Sequence, residues 1–230
     1  GPVQAHPVAF FEGNAAAGKR LGGVVDGRVS ATGNAARRTG TCTAFSVEMA
    51  ARYAELHALS SFTFLRGASH PEELVETASA LGYEALAITD ECTMSGIVRA
   101  HMAAKALELK LIIGSELRLQ SGRKLVALAQ NRNGYAALCR LITQARRAAE
   151  KGSYALTRSF FEAGLPDCLV LWVPDDTLAL DVEDHWIRET FRDRLWIAVE
   201  LLADGRQDER LDALREVGRR LKLPLVASGD

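Results

Sequence analysis

The sequence predicts an α/β fold built on seven mainly parallel strands, and three observations support this prediction. First, strand-like and helix-like segments alternate from about residue 53 to the last residue. Second, helices follow most of the strands, an order that places neighbouring strands parallel to one another. Third, the segments 86–88, 111–113 and 169–173 are apolar throughout, which is typical of strands buried on both faces.

Short apolar runs mark the individual strands. The predicted strands are 53–59, 85–89, 110–114, 124–129, 168–173, 195–201 and 224–227. This pattern alone fits either a closed barrel or an open doubly wound sheet. No GxGxxG motif follows the first strand, and no GxxxxGK motif ending in Ser or Thr is present. An open nucleotide-binding sheet therefore lacks its main evidence.

Periodicity and end signals mark the helices. The predicted helices are 69–81, 95–107, 133–149, 158–163, 182–191 and 208–221. In the first, Ser69 serves as the N-cap, Pro71 fits the first turn and Glu72 completes a capping box. The second helix is expected to bury Ile97, Val98, Met102 and Leu107.

Residues 1–50 differ in composition from the rest of the chain. They hold eight of the 19 glycines and show no sustained helical or strand period. Such a segment buries too little apolar surface to offset its ordering entropy, so we predict a flexible arm or a non-native leader. The predicted organisation is an arm at 1–50 and one domain at 51–230, truncated at the end of the seventh strand.

The overall charge and the cysteine content exclude some classes of protein. Lys and Arg number 28 and Asp and Glu 29, so no strong net field would attract nucleic acid or an anionic membrane. The four cysteines are widely spaced and form no CxxC pair, which indicates reduced thiols. No apolar run approaches a membrane span, and the first residues lack the order of a signal peptide. We therefore expect a cytoplasmic protein without membrane partners.

Polar side chains gather at the predicted strand ends, where α/β barrels carry their chemistry. These residues are His57, Asp90, Glu91, Glu116, Asp175, Asp176, Glu200 and Asp230. Imidazole and carboxylates on one rim can hold divalent cations suited to phosphoester hydrolysis. Acidic residues after strands also cap helices and make turns, and that alternative stays open here. For Glu116, which is next to an apolar residue, a ligand or an ion-pair role is favoured, because burial without a partner would be costly.

Four motifs resemble the PHP (polymerase and histidinol phosphatase) domain of bacterial C-family polymerases. They are YAELHALSSFTFLRGAS at 53–69, AITDEC at 87–92, KLIIGSE at 110–116 and LAQNRNGY at 128–135. The spellings FLRGAS and TDEC look like the error-prone, damage-inducible branch. The resemblance covers about 51–230, and the order and spacing of its motifs make it specific.

The resemblance implies a distorted (β/α)7 barrel of the PHP type with up to three metal ions, Mg, Mn or Zn, at its rim. Intact members cleave phosphoesters there, in some polymerases as 3′→5′ proofreading. This sequence keeps His57, Asp90, Glu116 and Asp230 of the pattern. It departs from the pattern because the places of three family histidines are taken by Leu59, Glu91 and Lys124.

These departures predict a degenerate site that binds metal weakly or not at all and has no catalytic residue. The expected ligand positions are His57, Asp90, Glu91, Glu116 and Asp230. Lys124 is the predicted metal-replacing cation, because an amine can hold carboxylates such as Glu116 without an ion.

The resemblance predicts part of an error-prone DNA-directed DNA polymerase used in damage-induced translesion synthesis, without the polymerase palm. Its expected partners are the rest of the polymerase chain, DNA bound through the full-length protein, and other mutagenic-repair proteins. Two alternatives stay open. One is a free-standing PHP-type phosphoesterase, and the other is a non-catalytic docking module.

Overall fold

A computed structural model describes residues 53–175, 178, 180–201 and 205–229 of the chain. The predicted arm at 1–50 and the predicted ligand Asp230 lie outside these residues. Within the described part, all seven predicted strands are present and form one sheet in the order β1 to β7. The strands are β1 Ala54–Ala58, β2 Ala85–Ile88, β3 Lys110–Arg118, β4 Lys124–Ala129, β5 Cys168–Val173, β6 Leu195–Val199 and β7 Leu225–Ala227.

The sheet is mainly parallel, as predicted, and the fourth strand is its exception. β1, β2 and β3 pair in parallel, as do β5, β6 and β7, but β4 is antiparallel to both of its neighbours. The prediction ended β3 at Gly114, whereas the strand continues to Arg118 and returns through a tight turn at Gly122, whose φ is +91°. A connection this short allows only an antiparallel return.

Reversal of β4 decides where Lys124 lies. As the first residue of β4, Lys124 pairs with Arg118 at the end of β3 and with Val173 at the end of β5. The beginning of β4 therefore shares a rim with the carboxyl ends of the parallel strands.

A side chain joins the first and last strands, so the sheet forms a nearly closed barrel. Glu55 of β1 accepts a hydrogen bond from the backbone N–H of Gly229, just after β7, at 2.8 Å. A Cβ atom on residue 229 would lie 2.6 Å from Glu55 Oε2, so glycine permits this close approach. Among the described residues no strand ladder pairs β7 with β1, and this contact spans the seam.

In the described segments, five α-helices cover the barrel: α1 Pro71–Ala80, α2 Ile97–Ala106, α3 Arg132–Arg147, α4 Val182–Phe191 and α5 Gln207–Leu221. Short 3-10 helices lie at Arg158–Phe161 and Arg192–Arg194. The predicted cap of α1 was wrong by one residue. His70 is the N-cap, and Glu73 accepts its backbone N–H at 2.7 Å.

The predicted buried side of α2 was also wrong. Ile97 is buried as expected, but Val98, Met102 and Leu107 are exposed. The helix instead packs through its small residues Ala100 and Ala104. Alanine lets the helix backbone approach its neighbours closely, and this close packing places the larger apolar side chains on the outer face.

The core has an inner layer and two outer layers. The inner layer consists of strand residues alone: Ala85, Ala87, Ile112, Val126, Leu128, Leu171, Val173 and Ala198. One outer layer lies between β2, β3 and the helices α1 and α2, and the other lies under α3, α4 and α5. None of the helices in the described segments has the length and apolar character needed to span a bilayer.

Candidate functional site

Three elements of the rim bring one histidine and two carboxylates together. His57 lies on β1, Glu116 on β3, and Glu200 directly after β6. His57 Nε2 is 3.1 Å from Glu116 Oε2, and His57 Nδ1 is 2.8 Å from Glu200 Oε1. Both His57 and Glu116 are fully buried, so the imidazole is held between two carboxylates away from bulk water.

Arg66 enters this cluster from the loop between β1 and α1. Its Nη1 and Nη2 atoms donate to the two oxygens of Glu116 at 2.5 and 3.0 Å. Nη1 also donates to Glu91 Oε2 at 2.8 Å, and Arg118 approaches Glu116 at 3.4 Å. The planar guanidinium fork matches the two oxygens of a carboxylate, so this geometry fixes Glu116 as well as neutralising it.

The cluster shifts the titration of its members. Burial disfavours the charged form of His57, but hydrogen bonds with Glu116 and Glu200 outweigh burial and raise its pKa to about 9. Burial likewise opposes ionisation of Glu116, whereas His57 and Arg66 hold its pKa well below the usual range. At neutral pH the cluster therefore holds a protonated His57 imidazole, the Arg66 guanidinium and an ionised Glu116.

Asp90 follows β2 and faces the β1–α1 loop. Its Oδ1 accepts hydrogen bonds from the Ser60 backbone N–H at 2.7 Å and the Thr63 hydroxyl at 2.8 Å. Its Oδ2 accepts the Ser60 hydroxyl at 2.7 Å. These contacts are all buried, so both oxygens of Asp90 hold the loop that carries Arg66.

Glu91 connects the Arg66 loop to a different part of the molecule. Beside its bond to Arg66, it accepts the Tyr154 hydroxyl at 2.6 Å. Burial, and then this hydrogen bond, raise the pKa of Tyr154, so the phenol stays protonated and donates. The loop is therefore attached to Glu91, which follows β2, and to Glu116, which lies on β3.

Lys124 lies at the same rim but contacts a different carboxylate from the one proposed in the sequence analysis. Its Nζ is 3.5 Å from Glu200 Oε2, and it lines a cleft of about 700 Å³ with Arg118 and Glu200. Asp175, another predicted rim residue, pairs with Arg123 at 2.8 Å. Asp176 and Asp230 lie outside the described residues.

The PHP resemblance implies a metal centre here, and the described side chains do not fit one. Both ring nitrogens of His57 face carboxylates, both oxygens of Asp90 bind the loop, and the Arg66 guanidinium lies against Glu116. Within the parts of the chain that the structure describes, no three His, Cys, Asp or Glu side chains form a group able to hold an ion.

Sequence reasoning did not predict the roles of Arg66 and Tyr154. Arg66 belongs to the FLRGAS segment, which carried the resemblance to the error-prone branch but in which no site residue was predicted. A usable signal was the isolated cation in the loop after β1, since buried carboxylates at the rim require a positive partner. Tyr154 carries no such signal, because it lies 63 residues beyond Glu91 in the chain.

The architecture is a nearly closed, seven-stranded α/β barrel with a polar rim. Two solved structures share the fold: a protein named as a metal-dependent phosphoesterase from Bifidobacterium adolescentis, and an amidohydrolase from Chromobacterium violaceum with bound sulfate and no metal. Their TM-scores are 0.53 and 0.52, each at 15% identity, covering 78% and 77% of this chain and 87% and 86% of theirs. The PHP domain family matches residues 55–177, and the chain belongs to that family.

Curated relatives place the chain more narrowly. It is 54% identical over 178 residues to the error-prone DNA polymerase of Pseudomonas fluorescens and 55% identical over 183 residues to that of Dechloromonas aromatica. Each alignment covers 77% of this chain but only 17% and 18% of the relative. The chain therefore spans less than one fifth of the polymerases that it resembles.

Proposed function

We propose that this chain is the PHP portion of a bacterial error-prone DNA polymerase that copies damaged DNA in the cytoplasm. Identity above 50% to proteins of that name supports the proposal, as does the small share of their length that aligns. The PHP domain would run from about residue 51 to the end of β7. Nucleotidyl transfer, DNA contacts and contacts with other mutagenic-repair proteins would then belong to the full-length protein.

We further propose that the rim cluster is a structural centre in which an internal cation replaces the metal ions. The observation that carries this proposal is the paired contact of Arg66 with both oxygens of the buried Glu116. A cation placed next to Glu116 opposes binding of a divalent ion by charge repulsion and by occupying the carboxylate oxygens. Lys124, beside Glu200, adds positive charge at the same rim.

A metal and chelator experiment tests the structural centre. The purified chain should contain less than stoichiometric Mg, Mn or Zn, and its unfolding temperature should not change with a chelator. It should release no phosphate from a simple phosphomonoester and should not shorten a labelled 3′ end. Tightly held metal together with turnover in either assay would overturn the proposal.

A free-standing phosphoesterase is the second candidate, and the shared barrel with the B. adolescentis protein is the observation that favours it. At 15% identity that likeness supports the fold alone. The two candidates predict different lengths for the reading frame that encodes the chain. A polymerase requires several hundred further residues and primer extension by the full-length product, past an abasic site as well as on intact template. A short frame whose product hydrolyses phosphoesters would favour the second candidate.

A further inference from the structure

The β1–α1 loop exposes two large apolar side chains next to Arg66. Phe64 is 83% exposed and Leu65 is 88% exposed, and Phe62, which lies near Gly96 at the start of α2, is 38% exposed. Single exposed leucines are common on protein surfaces. Adjacent aromatic and aliphatic side chains with nearly all of their surface in water are a less common feature and suit an interface anchor.

The loop backbone that carries these two side chains is held on both sides. Thr63, which precedes them, is buried and donates to Asp90 at 2.8 Å. Arg66, which follows them, is bound to Glu116 and Glu91. The backbone N–H groups of Arg66 and Gly67 both donate to the Thr63 carbonyl, at 3.1 and 3.0 Å, which closes the turn around Phe64 and Leu65.

Leu65 has a backbone conformation that leucine rarely adopts. Its φ is +64°, in the left-handed region, where a side chain with a Cβ atom is disfavoured by roughly 1–2 kcal/mol. Asparagine tolerates this region better. Leucine at an exposed, left-handed position is thus unfavourable for the folding of this loop, and its apolar side chain is better explained by a contact outside the described residues.

We propose that Phe64 and Leu65 dock into an apolar pocket on the polymerase portion of the same polypeptide. This inference rests on the proposed function, because the occupant is the part of the polymerase that the curated relatives have beyond the aligned 17%. A separate protein would need about 800 Å² of surface on each side for stable association. A partner in the same chain is already at high effective concentration, so a smaller contact, made by two apolar side chains on a held backbone, can persist.

The loop then has two faces with different roles. Its inner face carries Arg66, which neutralises the barrel centre, and its outer face carries the docking side chains. The two faces are joined by the consecutive residues Leu65 and Arg66, so a displacement of the backbone at Arg66 would also displace Leu65. The salt-bridged centre would thereby set the position of the surface that contacts the polymerase.

The substitution Leu65→Asn tests this proposal because its two effects have opposite signs. In the 230-residue chain it should leave the unfolding temperature unchanged or raise it, since asparagine relieves the left-handed strain. In the full-length polymerase it should lower the unfolding temperature, because an apolar contact is lost. Leu81→Asn, at another well-exposed leucine, is the matched control and should change neither protein measurably. Equal effects of Leu65→Asn in the two proteins would overturn the proposal.

Hydrogen exchange of the loop in the wild-type proteins gives a second measurement. Amides of residues 62–67 should exchange at least about tenfold more slowly in the full-length polymerase than in the 230-residue chain. Equal exchange would contradict docking, and a dimer of the 230-residue chain that Leu65→Asn dissociates would assign the side chains to a second copy instead. Failure of the wild-type full-length protein to extend a primer would count against the proposed function, while these loop measurements would still decide the docking.

Discussion

Arg66 and Glu116 are 50 residues apart in the chain and form a two-pronged ion pair at the mouth of the barrel. The carboxylate is fully buried, and the guanidinium side chain is 30% exposed. The pair thus joins a surface loop to the centre of the sheet. Loss of Arg66 would leave His57 as the remaining close partner of a buried carboxylate, so the stability of the rim should depend on this contact.

The substitution Arg66→Met removes the charge and keeps a long side chain. We expect a loss of about 2 kcal/mol in the free energy of unfolding, because Arg66 is partly exposed and His57 remains a partner of Glu116. Urea denaturation of the purified chain would measure it. The matched control is Arg99→Met, whose pair with Glu72 is exposed and should contribute less than about 1 kcal/mol. Similar losses for the two variants would show that the Arg66 contact is not structural.

The raised pKa of His57 predicts that stability falls at alkaline pH. The folded chain holds the imidazole proton up to about pH 9, whereas an unfolded histidine loses it near 6.5. Between these values the folded state binds one more proton than the unfolded state, so stability falls as pH rises, by at most about 3 kcal/mol. The contribution is complete below pH 6.5 and lost through pH 9. In unfolding experiments over this window, the His57→Gln variant should be less stable than wild type at pH 6, and its stability should be nearly independent of pH. A parallel decline in the stability of both proteins would contradict the assignment to His57.

Most of the fold was predictable, since buried strands and amphipathic helices carry local signals. β4, β5 and α4 have the predicted bounds. The direction of β4 was missed because it depends on the length of β3, and the apparent end at Gly114 concealed a strand that pairs as far as Arg118. The exposed Val98 and Met102 show the same limit, since periodicity cannot tell a face packed through alanines from one packed through larger side chains.

The site was predictable only as a set of positions. His57 and Glu116 were placed at one rim, and the structure brings their side chains within 3.1 Å. Asp90 was placed at the same rim, but its oxygens point to Ser60 and Thr63. The direction of a side chain depends on tertiary contacts, and so does the contribution of the loop that carries Arg66. The position of a residue at the end of a strand predicts neither.

Substitution of Asp90 distinguishes a role in holding the loop from a role as a metal ligand. Asp90→Asn should cost about 1 kcal/mol or less, because the amide oxygen can accept from Ser60 N–H and its NH₂ can donate to the Ser60 hydroxyl. Asp90→Ala leaves those donors without an acceptor and should cost about 3 kcal/mol. Thermal unfolding with and without chelator would measure both. If Asp90 were instead a ligand, the two variants would be equally destabilised and only the wild type would respond to the chelator.

Gly67 permits the close approach that closes the Arg66 loop, and a methyl group there should disrupt it. A Cβ atom at this position would lie 1.9 Å from the carbonyl oxygen of Ser60, a backbone atom that cannot move independently of the loop. We expect Gly67→Ala to cost about 3 kcal/mol, at the upper end for overpacking. Gly82→Ala is the matched control. Gly82 has a φ of +73° with no neighbour within 4 Å, so its substitution should show only the backbone penalty of about 1 kcal/mol.

Displacement of the loop backbone by Gly67→Ala should also weaken the ion pair between Arg66 and Glu116, because Gly67 directly follows Arg66. In a double-mutant cycle, Gly67→Ala and Arg66→Met should therefore cost less together than the sum of their separate losses, by about 1 kcal/mol or more. Gly82→Ala combined with Arg66→Met should be additive, since Gly82 makes no contact with the loop. Urea denaturation of the three single and two double variants would measure both cycles. Additivity in the Gly67 cycle would mean that the loop backbone and the Arg66 contact are independent, and the coupling between the barrel centre and the outer face of the loop would lose its structural basis.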